Sequence, residues 1–114
     1  IEYCAGALAE IYAGMGGKVA MAGKPHPPIY EVAFKRLEEA TGPGFDRRRI
    51  VAIGDAARTD ALGAAAFGID FLVITGSLHA AELNAFEGAE EEEVRAAVAE
   101  SMVKLVGYMP RLKW

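Results

Sequence analysis

Apolar positions fall into short blocks along this chain, and each block has the spacing of one kind of element. Leu8, Ile11, Tyr12 and Met15 recur at helical intervals, which predicts a short helix over Ala5–Ala13, broken by Gly14, Gly16 and Gly17. Lys18–Ala22 reads as extended, and the turn-rich Gly23-Lys24-Pro25-His26-Pro27-Pro28 follows. Ile29, Val32, Ala33 and Leu37 then mark one face of an amphipathic helix that stops near Gly42, with Pro28 tolerated in its first turn.

Ile50-Val51-Ala52-Ile53 is apolar at every position, as a parallel strand buried on both faces would be, and Phe71-Leu72-Val73-Ile74 repeats the pattern. Small, helix-forming residues from Ala61 to Phe67 separate the two. A last helix is expected over Glu90–Val106, with Val94, Val98, Met102 and Leu105 on one face and four glutamates at its start, where the helix dipole favours them. That placement accounts for the acidic run without a functional role. The order helix, strand, helix, strand predicts an α/β fold with a parallel sheet. Such sheets hold ligands outside the carboxyl ends of their strands, where Asp55 and the Thr75-Gly76-Ser77 loop fall.

Composition narrows the classes of function. With 114 residues, 53% hydrophobic and 25% charged, the chain suits one globular core. Gly, Asp and Glu interrupt every apolar stretch before the roughly 18 residues of a membrane span, so no membrane partner is expected. A net charge of −4 gives no reason to expect nucleic acid, and Arg47-Arg48-Arg49 reads as a solvated loop ahead of a strand. The single cysteine, Cys4, allows no internal disulfide and has no zinc-ligand spacing, which favours a cytoplasmic location. The chain opens at Ile1 without a secretion leader, so a truncated or processed chain is expected.

The candidate chemistry lies in two loops. Gly54-Asp55-Ala56-Ala57-Arg58-Thr59-Asp60 puts two carboxylates at the end of a buried strand, and Mg²⁺ suits so sparse a donor set because it keeps waters and takes phosphate oxygens. Asp60 or Thr59 can equally be read as the cap of the helix near Ala61, and both readings stand. Lys24, fixed between Gly23 and Pro25, is either a surface lysine or a compact charge for phosphate oxygens; its place ahead of a helix and one strand before the carboxylate loop favours the second. His26, between prolines, reads as a loop residue before a phosphate ligand. Gly14-Met15-Gly16-Gly17-Lys18 is no Walker loop, since Tyr12 and Val19 stand where Gly and Ser/Thr are needed. Ser77 and His79 are not read as a nucleophile pair, and His79 is expected to start the next helix.

Together these residues resemble a known family. Gly23-Lys24-Pro25-His26-Pro27, about thirty residues ahead of Gly54-Asp55 with Thr59-Asp60, is similar to motifs III and IV of haloacid dehalogenase-type hydrolases. Ala22-Gly23-Lys24-Pro25, Gly63-Ala64, Gly68-Ile69-Asp70 and Val73-Ile74-Thr75-Gly76 resemble its class IIA, and the similarity runs over roughly residues 5–83. The resemblance implies a Rossmann-like three-layer α/β/α core with parallel strands, residues 21–114 forming its C-terminal half and residues 1–20 the tail of a cap domain. It also implies a Mg²⁺-dependent phosphatase for small phosphate monoesters that works through an aspartyl-phosphate. In that scheme Lys24 steadies the nucleophile and the phosphoryl group, Asp55 ligates Mg²⁺, and Asp60 acts through the metal's water shell.

The family's motif I, Asp-x-Asp, supplies the nucleophile and the general acid, and it is absent: no two of Asp46, Asp55, Asp60 and Asp70 are separated by one residue. The chain alone is therefore expected to be inactive, its full-length parent taking a small phosphorylated substrate. A sheet without the motif I strand is expected to bare an apolar edge or to cover it with a second copy, as a homo-oligomer. The rival reading is a non-catalytic α/β binding or assembly module that keeps the loops without the chemistry. Phosphate transfer to an acceptor other than water would use the same site.

Overall fold

The computed structural model describes residues 4–77 and 89–113. Two helices, α1 (Ala5–Gly14) and α2 (Pro27–Thr41), precede β1 (Val51–Gly54); α3 (Leu62–Ala66) leads to β2 (Asp70–Ile74), and α4 (Glu91–Val98) to β3 (Leu105–Met109). As the apolar runs predict, β1 and β2 are neighbouring parallel strands, with Val51 opposite Asp70 and Gly54 opposite Val73. β3 adds a third parallel strand beside β2, so the order is β1-β2-β3. This is an α/β fold of the expected Rossmann-like kind.

The helix expected over Glu90–Val106 is wrong in its second half. α4 stops at Val98, a 3₁₀ turn covers Ala99–Ser101, and Met102 then takes a left-handed φ of 56°. Ser101 closes the helix locally: its hydroxyl donates to the Val98 carbonyl at 2.6 Å and accepts the Val103 N–H at 3.3 Å. The open edge of β2 takes the chain that follows, the Phe71 N–H donating to the Lys104 carbonyl at 3.0 Å and the Thr75 N–H to that of Met109 at 3.0 Å. Pairing outweighs helical periodicity here, and Met102 and Leu105 leave the face of Val94 and Val98.

Phe71 and Val73 point to one side of β2, where Ala61, Ala64, Val94 and Val98 pack on them as one core. On the other side of β1, Val51 and Ile53 remain 44% exposed each, and β1 has a strand neighbour only in β2. The expected bare apolar edge is therefore present among the described residues.

α2 packs by a face other than the expected one. Ile29 and Val32 stay exposed, whereas Tyr30 and Phe34 turn inward: Tyr30 stacks on Phe67 at 4.5 Å, and Phe34 tilts against Phe67 at 5.8 Å and Phe45 at 5.6 Å. Aromatic rings bury more area than the aliphatic set and win the interface. The Arg47–Arg49 stretch forms a 3₁₀ turn; Arg47 lies 4.7 Å over the Phe34 ring and donates to the Phe67 carbonyl at 3.1 Å. Residues 18–22, expected as extended, form no strand. The apolar stripe of α1 stays exposed, and Cys4 is an exposed free thiol. No described helix is long and apolar enough to cross a membrane.

Candidate active site

β1 ends at Gly54, and the chain turns through Asp55 and Ala56 into a π-helical turn, Ala57–Ala61. The turn is widened because the Ala56 carbonyl accepts both the Asp60 N–H at 2.9 Å and the Ala61 N–H at 3.1 Å; such insertions often mark functional sites. Asp60, only 5% exposed, does not cap α3. Its Oδ2 reaches back to accept the N–H groups of Asp55 and Ala56, each at 3.2 Å, and so ties down the loop that leaves β1. Gly54 makes this possible, since a Cβ at that position would collide with the Asp60 carboxylate.

The other oxygen of Asp60 meets Lys24: Oδ1 lies 2.5 Å from Nζ. Lys24 stands in a turn closed by the His26 N–H donating to the Gly23 carbonyl at 2.9 Å, and its bond to Pro25 is cis. His26 precedes Pro27 at the start of α2, and its side chain makes no capping bond. The sequence-predicted Lys24, Asp55 and Asp60 are thus gathered at the carboxyl end of β1.

The charges of this cluster act on one another. The Asp60 carboxylate beside Lys24 raises its ammonium above the ordinary value against the opposing effect of burial, and the charge of Asp55 adds to the rise. Burial pushes the Asp60 carboxyl up, but Lys24 and the N–H groups of Ala56 and Asp55 outweigh it and hold Asp60 below the ordinary carboxylate value. Burial raises the Tyr30 phenol, and the charge of Asp60 raises it further. Sequence reasoning passed over Tyr30, although Tyr30, Phe34 and Leu37 keep the same helical spacing as the set chosen for α2.

Asp55 also lines a cavity of about 820 Å³, together with Arg58, Thr59, Phe71 and Val73 of β2, Val98 and Ser101. Lys24 and Asp60 do not line it. Among the described residues no three His, Cys, Asp or Glu side chains gather as a metal cluster. The oxygens of Asp60 are engaged by Lys24 and two N–H groups, which leaves Asp55 as the carboxylate at hand for a cation. One carboxylate with water and phosphate oxygens fits Mg²⁺ in kind.

The second loop expected at the site follows the carboxyl end of β2, where its backbone pairs with the end of β3. Thr75 and Gly76 donate their N–H groups to the carbonyls of Met109 and Pro110, at 3.0 and 3.1 Å, and a Cβ on Gly76 would run into the Pro110 carbonyl. His79 lies outside the described residues.

A family model for HAD-hydrolase-like proteins matches residues 21–104 of the chain. The crystal structure of a hydrolase of the haloacid dehalogenase-like family from Brucella suis 1330 is similar at a TM-score of 0.69 and 39% identity, over 97% of this chain and 38% of that one. The chain accordingly spans well under half the length of that relative. No curated protein matches it.

Proposed function

The chain belongs to the haloacid dehalogenase-like hydrolase family, and from that premise we propose that it is the C-terminal half of the catalytic core of a Mg²⁺-dependent phosphatase for small phosphate monoesters. Residues 21–114 are core, residues 1–20 end a cap domain, and the nucleophilic aspartate comes from outside this chain. The observation that supports this reading best is the Lys24–Asp60 pair, held beside Asp55 at the carboxyl end of β1.

Phosphoryl transfer depends on charge neutralisation and alignment more than on bond-making by the surrounding protein. Lys24 supplies a point charge for phosphate oxygens, and half of its side chain is open to solvent. Asp60 fixes that lysine and the Asp55 loop at once, so both keep their places while a substrate binds and leaves. Asp55 is the residue that would hold Mg²⁺, which when bound offsets the charge on the phosphate.

The test is turnover of an aryl phosphate by the full-length protein against Mg²⁺ concentration, beside the Asp55→Asn and Asp60→Asn variants. Activity is expected to vanish with chelator. Asp55→Asn depresses kcat even at saturating metal, because a direct ligand has lost its charge. Asp60→Asn keeps an oxygen for the loop N–H groups and weakens apparent metal affinity by about 10 to 100-fold, with partial recovery in excess Mg²⁺. Full rescue of Asp55→Asn alone reverses the two roles. Absence of turnover in the full-length protein moves the reading to a binding module built on the same loops.

A further inference from the structure

α2 carries Lys24 at its approach, yet no residue of α2 is fully buried. Its hold on the sheet comes from the inward-turned pair Tyr30 and Phe34, and Tyr30 is the one nearer in sequence to Lys24. The Tyr30 ring lies nearly flat on Phe67, 12° between planes, and its hydroxyl end occupies the space where a Cβ on residue 63 would sit. Gly63 stands one turn beyond Asp60, the partner of Lys24. One end of α2 is thus gripped at residue 63, and the loop ahead of it is gripped at residue 60.

We propose that Tyr30 is a positioning residue for Lys24: its ring, seated against Gly63 and Phe67, fixes the start of α2 so that the ammonium meets Asp60. A lysine carries four rotatable side-chain bonds and loses considerable rotamer freedom when one geometry is imposed. With the backbone of the Gly23–His26 turn held at a set distance from Asp60, the single pairing is reached without a search over loop positions. Gly63 is required for the same reason, since any side chain there displaces the ring. The chemical value of this placement rests on the phosphatase reading; the placement itself does not.

The test reads Lys24 directly, by amine-selective labelling of the full-length protein with mass-spectrometric rates for each lysine. Lys18 and Lys35, both exposed, are the internal references. Lys24 is expected to react more slowly than either in the unaltered protein. Tyr30→Ala and Gly63→Ala should each speed Lys24 relative to Lys35 by about two- to fivefold, the factor set by loss of an ion pair with one half-exposed partner. Tyr30→Phe keeps the ring and should keep Lys24 slow. An unchanged Lys24 rate in both Tyr30→Ala and Gly63→Ala overturns the proposal, as does equal acceleration of all three lysines, which would mean general loosening. A full-length protein that fails to hydrolyse phosphate esters would sink the enzymatic reading while these rates still decide the role of Tyr30.

Discussion

Two lysine–aspartate pairs stand at opposite ends of the same sheet. Lys24 and Asp60 meet at 2.5 Å at the carboxyl end of β1; Lys104 and Asp70 meet at 2.8 Å where β3 and β2 begin. The residue types are identical, but the surroundings are not. The Asp60 side chain is 6% exposed and also accepts two backbone N–H groups, whereas that of Asp70 is 23% exposed and its lysine 75% exposed. The Lys104 pair pins the register between two strands that already share a ladder. The Lys24 pair joins two segments far apart in sequence, and only its carboxylate is withdrawn from water, the lysine remaining half open to solvent.

The comparison breaks first at Asp60. Asp60→Ala strips the acceptor from two loop N–H groups and leaves Lys24 unpaired, so a loss of about 2–3 kcal/mol is expected in denaturant unfolding. A loss no greater than that of Asp70→Ala would show that burial does not separate the two pairs. Gly54→Ala attacks the same place through shape alone: its Cβ forces the Asp60 carboxylate aside, and overpacking of this kind costs about 1–3 kcal/mol.

pH acts with opposite sign on the two partners of the Lys24 pair. Asp60 is held below its ordinary 3.8, so its contribution is complete above that value and is lost as pH falls through the lower folded one. Lys24 is held above its ordinary 10.5, so its contribution is complete below that value and is lost as pH rises through the higher folded one. Stability of the site should form a plateau between these limits, and an acid melting series of Asp60→Asn should lack the low-pH limb. At the far end, Asp70→Asn should cost no more than about 0.5 kcal/mol and fade further with added salt.

The residues of the candidate site stand out in the sequence because its parts are local. A strand closed by Gly-Asp, and a lysine held between Gly and Pro, announce their positions without knowledge of the rest of the fold. The role of Asp60 was not legible, because its partners lie behind it at Asp55 and Ala56 rather than ahead in α3. Leu105–Met109 was missed since Met102 and Leu105 extend the spacing of Val94 and Val98 by coincidence, and only the open edge of β2 decides against a helix. The inward face of α2 was misjudged for a related reason. Two sets of apolar residues that share Leu37 run along it at helical intervals, and the choice between them belongs to Phe67, more than twenty-five residues away.

Met102 has a meaning for anyone redesigning this chain. It is 90% exposed, and it holds a backbone shape that an L-residue adopts at a cost of roughly 1–2 kcal/mol. Glycine or asparagine at that position relaxes the shape, and the junction between α4 and β3 becomes one that the local code specifies instead of one that the sheet edge imposes.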